Sequence, residues 1–117
     1  MNAAERLWDG LTRRNWDAVA AQFHDRADVY WPHTGERFTR DEYVAVNRAS
    51  PGTWDIEVRK MISNGRDIAV EAIVRGADET HRCAGFYDLH DGRIAHATEY
   101  WVAEGEQAPR AGRPPRG

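Results

Sequence analysis

Cysteine is almost missing from this chain: Cys83 stands alone, so no intrachain disulfide can form and no thiolate zinc site can be assembled. Also missing are an apolar run long enough to cross a bilayer and the hydrophobic stretch of a secretory leader near the N-terminus. A reducing, cytoplasmic location is therefore the expectation. Neither sign of charge dominates. Sixteen basic residues are interspersed with 19 acidic ones, a formal net charge of −3, which leaves no electrostatic footprint for nucleic acid or an anionic membrane surface. The histidines show no metal-ligand spacing, and neither a metal nor a cofactor is expected.

What the chain does have is tryptophan, five residues in 117. Indole is bulky and amphipathic, suited to a small core or to the wall of an apolar cavity. The length corresponds to one domain with a single core, close to the size at which a second copy often helps. Residues 1–103 read as that domain. Residues 104–117, rich in Gly, Pro and charge, have little to bury and read as a flexible tail.

The N-terminal half is punctuated by helix caps. Asn2 precedes a helix with Ala4, Leu7, Trp8 and Leu11 at helical spacing, and Asn15 caps a second, WDAVAAQFH. A strand from Ala27 to Trp31 ends in a loop bearing Pro32 and Thr34-Gly35. Thr39 with Glu42 forms a capping box for a third helix, Arg40 to Arg48, which Ser50-Pro51-Gly52 stops. From Trp54 onward the pattern is strand. Three hairpin turns, at Asn64-Gly65, around Ala77-Asp78 and at Asp91-Gly92, predict a four-stranded meander, making the class α+β.

If each turn has two central residues, the register can be followed across the sheet. Pairing Ser63 with Arg66 sets Val58 opposite Glu71, the next turn sets Glu71 opposite Ala84, and the last sets Ala84 opposite Glu99. Arg82 and Trp101 fall in the adjacent row, with Phe86 beyond. This predicts one face bearing Glu71, Glu99 and Arg82, an acid–base or hydrolytic constellation in which shared burial would raise a carboxyl pKa toward neutrality. A cross-strand ion network on a polar surface is the competing reading. The other face would carry Val70, Ala72, Val74, Cys83 and Tyr100, an apolar patch suited to an interface, together with His81 and His96. His33, after Pro32, is placed at a pocket mouth.

The segments NWDAVAAQFHDRADVYWP, TRDEYVAVNRA and HDGRIAHATEYW, in this order of elements, resemble the nuclear-transport-factor-two-like superfamily in its SnoaL-like branch. The resemblance covers residues 3–103 and rests on fold-specifying stretches, with no catalytic signature among them. It implies a cystatin-like cone: three N-terminal helices packed on a strongly curved, mostly antiparallel sheet, enclosing a pocket and dimerising through the outer sheet face. The family includes ketosteroid isomerases, scytalone dehydratase, limonene epoxide hydrolases and polyketide cyclases. The positions matching the isomerase's tyrosine, base and neutral acid are Leu7, Trp31 and Ala84, none of which supplies that chemistry. The epoxide hydrolases carry an acid near Glu99, but their Arg-x-Asp is matched by Ala69-Val70-Glu71. The cyclases use a pocket aspartate for which Glu99 would substitute. The implied protein binds a small apolar or aromatic molecule against Trp8, Trp31, His33, Trp54, Phe86 and Trp101, with Glu99, Glu71 and Arg82 as candidates for chemistry. The alternative is a non-catalytic binding protein or a dimeric interaction module.

Overall fold

A computed structural model describes residues 1–105, 107–108 and 111–112. The chain runs α1 (Ala3–Arg13), α2 (Trp16–Ala21), β1 (Phe23–Trp31), β2 (Glu36–Thr39), α3 (Arg40–Arg48), β3 (Asp55–Ser63), β4 (Asp67–Arg75), β5 (Thr80–His90) and β6 (Arg93–Ala103). The helices start where side chains satisfy their orphan N–H groups. Asn2 and Glu5 form a reciprocal box on α1, the Asn15 side chain accepts from Ala18 N–H on α2, and Thr39 and Glu42 box α3. Most of the expected tail falls outside the described residues.

The strands form one mostly antiparallel sheet in the order β2-β1-β6-β5-β4-β3, in which β1 lies parallel to β6. Two features go beyond the expected meander. β2 pairs back onto β1, and β1 begins at Phe23, where a second helix was expected to continue. The second involves β6: Ile94 N–H donates to Gln22 O at 2.8 Å, just before β1 begins. No local signal marks such a long-range parallel pairing.

The turn between β4 and β5 sets the expected register, with Glu71 opposite Ala84 and Ile73 opposite Arg82. The β3–β4 turn does not, and the β5–β6 turn does so only until a bulge intervenes. Four residues separate Ser63 from its partner, which is Ile68 rather than Arg66; Asp67 N–H donates to the Asn64 side chain and Asn64 N–H to Asp67 O. A bulge at Arg59 shifts the rest of β3. At the β5–β6 hairpin His90 faces Arg93 and Leu89 faces Ile94, but Asp88 faces His96, leaving Ala95 unpaired. That one bulged residue flips everything downstream: Ala84 sits opposite Tyr100, and Glu99 opposite Gly85.

The inner face, covered by the helices, therefore carries Val70, Ala72, Val74, Cys83, Tyr87, Ala97 and Glu99, all buried. Val70, Ala72, Val74 and Cys83, expected on an interface, are core residues instead. Leu7, Trp8 and Leu11 of α1 and Val19 of α2 pack into the same core. The outer face carries Ala69, Glu71 and Ile73 on β4, Arg82, Ala84 and Phe86 on β5, and Thr98, Tyr100 and Val102 on β6.

Candidate ligand pocket

Two glycines shape the inner face by what they leave out. Gly85 lies opposite Glu99, and a Cβ there would collide with the Tyr87 hydroxyl and ring, with Cζ only 2.8 Å away. The phenol thus folds back along its own strand, across the bare glycine, and reaches the glutamate. Gly76 plays the same part at the β4–β5 turn: a Cβ would stand 2.6 Å from Trp54 Cζ3, so its absence lets that indole close over the hairpin.

Glu99 is the one fully buried charged residue among the described residues. Its carboxylate is ringed by donors. Trp31 Nε1 donates to Oε1 at 3.1 Å, while the Tyr43 and Tyr87 hydroxyls donate to Oε2 at 3.0 and 2.6 Å. Trp8 Nε1 in turn donates to the Tyr87 oxygen at 3.0 Å, so one carboxylate ties together α1, β1, α3, β5 and β6. The Trp101 N–H is buried with no hydrogen-bond partner. It lies close enough to Glu99 to favour the carboxylate charge together with the three bonded donors. Burial nevertheless dominates and raises the Glu99 pKa above the ordinary glutamate value. Burial, and next the neighbouring Glu99 charge, holds Tyr43 and Tyr87 well above the usual phenol range. The same two causes push the Cys83 thiol far up, leaving it an inert core residue.

Above this floor opens a cavity of about 230 Å³. All five tryptophans, Trp8, Trp16, Trp31, Trp54 and Trp101, line it. Trp101 lies 6.2 Å from Trp8 and 6.3 Å from Trp31, ring centre to ring centre. Leu11, Ile56 and Val74 complete the apolar wall, and Arg14, His33, Asn47, Ser50 and His81 supply its polar groups. His33 lies against Trp31 and His81 against Trp54, at 5.5 and 5.6 Å.

The structure brings together Trp8, Trp31, His33, Trp54 and Trp101 of the residues expected at the site. It separates the rest. Glu71 is exposed on the outer face, Arg82 pairs there with Glu104, and Phe86 packs edge-on against Tyr100 in solvent. The expected Glu71–Glu99 pair does not exist, because the bulge at Ala95 puts the two carboxylates on opposite sides of the sheet. Ala84, the position matched to the isomerase's acid, likewise faces outward; its inward neighbours are Cys83 and Gly85. Five polar or aromatic lining residues were not singled out from sequence as pocket groups: Arg14, Trp16, Asn47, Ser50 and His81. His81 follows from the corrected parity, since it shares a face with Cys83 and Tyr87, whereas Arg14 sits at a helix end whose path no local pattern sets.

The sequence model of the SnoaL-like domain matches residues 4–97. The chain belongs to the SnoaL-like domain family. No curated protein matches it. Among solved structures this SnoaL-like protein is similar to one from Kribbella flavida DSM 17836, provisionally named a ketosteroid isomerase, with 29% identity and a TM-score of 0.80 over 98% of this chain and 81% of that one. It is also similar to an NTF-2 like protein of unknown function from Burkholderia xenovorans LB400, with 23% identity and a TM-score of 0.80 over 92% of this chain and 84% of that one. An LEH-like epoxide hydrolase from M. tuberculosis shares the fold at 17% identity, with a TM-score of 0.68 over 86% and 80% of the two chains. As in such NTF2-like relatives, helices pack on a six-stranded, mostly antiparallel sheet that does not close.

Proposed function

We propose that this SnoaL-like protein binds a small, flat apolar or aromatic molecule between its tryptophans, with Glu99 positioning the walls rather than touching the ligand. The observation that carries the reading is the gathering of every tryptophan of the chain around one cavity. Its volume lies just below the roughly 300–1,000 Å³ typical of ligand pockets, which suits one or two fused rings. An acid or base must come within hydrogen-bond reach of its substrate, and Glu99, with no exposed surface, is not among the residues lining the cavity. The likeness to an epoxide hydrolase supports a small-molecule pocket, but no carboxylate lines this one among the described residues. Glu71 and Arg82, on the far face, take no part in this reading.

Titrating the protein with neutral mono- and bicyclic aromatics while following its tryptophan fluorescence tests this directly. At least one compound is expected to shift or quench the emission and raise Tm, and Trp101→Ala, checked for retained folding by circular dichroism, is expected to lose both responses. A panel that leaves emission and Tm unmoved up to its solubility limit overturns the reading.

A second reading rests on the outer face. Ile62 on β3, Phe86 on β5, and Tyr100 and Val102 on β6 are each about half exposed or more, apolar groups on one sheet face that a second copy would cover. We infer that the protein is a homodimer through this face. Light scattering should then give twice the chain mass for the parent and a monomer for Tyr100→Asp; a monomeric parent refutes it.

A further inference from the structure

The polar rim of the pocket carries one sign of charge. Its ionisable residues, among those described, are Arg14, His33 and His81. The nearest carboxylate engaged with them, Glu79, accepts from or pairs with His81 Nε2 at 2.9 Å and lies outside the lining, so its charge is committed to that imidazole. Arg14 has no such partner: the arginine ion pairs among the described residues belong to Arg13, Arg37, Arg40, Arg75 and Arg82. Its guanidinium lies over the Trp16 ring, 5.1 Å from the centroid, and makes one long hydrogen bond, 3.4 Å, to Arg48 O.

The backbone beneath this cation is unusual. Arg14 caps α1 in the left-handed conformation, φ +54° and ψ +37°, with its N–H donating to Leu11 O and the Asn15 N–H to Gly10 O. Glycine is the residue that a helix end of this kind favours, because a Cβ is penalised there. The helix termination needs nothing from an arginine side chain. What the arginine adds is a cation, stacked on one tryptophan of the wall and with no carboxylate partner among the described residues, at the lip of an apolar cavity.

We propose that the pocket selects aromatic carboxylates, with the ring held among the tryptophans and the carboxylate at the Arg14 guanidinium. His33 and His81 line the same rim and add no opposing charge. This rests on the reading of the cavity as an aromatic-ligand site and adds the charge of the ligand.

The test uses a matched pair of probes, naphthalene-2-carboxylate and naphthalene-2-carboxamide, titrated calorimetrically into the full chain and into Arg14→Gly. Glycine suits the positive φ, so the variant's Tm should hold or rise, which separates loss of the cation from loss of the fold. The parent should bind the carboxylate about three- to tenfold more tightly than the amide, the range for a partly screened Arg–carboxylate pair. Added salt should narrow that preference, and in Arg14→Gly the ratio should fall to about one. Equal binding of both probes by the parent, or a preference that survives in Arg14→Gly, overturns the inference while leaving the aromatic pocket standing. Binding of neither probe overturns both.

Discussion

Glu71 on β4 and Glu99 on β6 belong to one sheet, two strands apart, on opposite faces. Glu71 is exposed, opposite Lys60 on one side and Ala84 on the other. Glu99 has no exposed surface and holds three hydrogen bonds from side chains of three different elements. The helices cover only the inner face, so the same side chain is a solvated charge on one side and an organising acceptor on the other. The peptide chain decides between these fates with a single unpaired residue, Ala95.

The sharpest way to break the comparison is to put the same new charge on each face. Val70→Asp buries a carboxylate among apolar core residues, with none of the donors that serve Glu99. A loss of about 4 kcal/mol or more is expected, against a total of roughly 5–15 for a domain of this class, so the thermal and urea unfolding midpoints should fall steeply. Tyr100→Asp, on the half-exposed outer face, should cost about 1 kcal/mol or less in chain stability. Similar losses in the two variants would mean that the faces are not distinguished as described.

Glu99 itself gives the next largest effect. Glu99→Leu strands the Trp31, Tyr43 and Tyr87 donors together, and with about 1–3 kcal/mol for each unsatisfied buried group, combined non-additively, a loss of about 2–4 kcal/mol is expected in urea denaturation. Glu99→Gln keeps an acceptor oxygen and should lose less. The Gln variant also isolates the titration. Burial raises the folded-state pKa of Glu99, so between the unfolded value, near about 4.3, and the folded one the native protein binds the extra proton. The contribution of this group is full below the unfolded pKa and declines as pH rises through the folded pKa. The stability of the parent relative to Glu99→Gln should therefore fall as pH is raised from about 4.3 toward neutrality. A difference that grows with pH would show instead that the ring of donors outweighs desolvation.

How much of this was legible beforehand divides along the range of the forces. The caps at Asn2, Asn15 and Thr39 involve partners within three residues, and all three act as their sequence implies. The β4–β5 turn likewise sets its expected register from local chemistry. The first half of β1 was not legible, because it exists by pairing with distant β6 rather than by propensity, and β2 was not read although it pairs only with the adjacent β1 across residues 32–35. The bulges at Arg59 and Ala95 carry no distinguishing residue, yet the second one moved Glu71, Arg82 and Phe86 out of the expected site. The inward direction of Glu99 and Trp101 was nonetheless implied by the family resemblance, which places both at the pocket without any count of turn residues. No local pattern marks Arg14 or Trp16 as pocket groups; their place on the pocket depends on how α1 and α2 meet the sheet.

The smallest effect expected is at Glu71, and its smallness is informative. On the outer face the carboxylate is already hydrated, so Glu71→Gln removes a screened cross-strand attraction to Lys60 and little else. Stability should change by no more than about 0.5 kcal/mol, and the affinity of the pocket for an aromatic probe should not move. Coupling can be measured as well. Glu71→Gln combined with Glu99→Gln should give the sum of the two single losses, since the residues share no partner and stand on opposite sides of the sheet. An interaction energy well beyond the usual scatter of about 0.3–0.5 kcal/mol would mean that the two carboxylates sense one another, and the separation imposed by the Ala95 bulge would then fail as the explanation of their different roles.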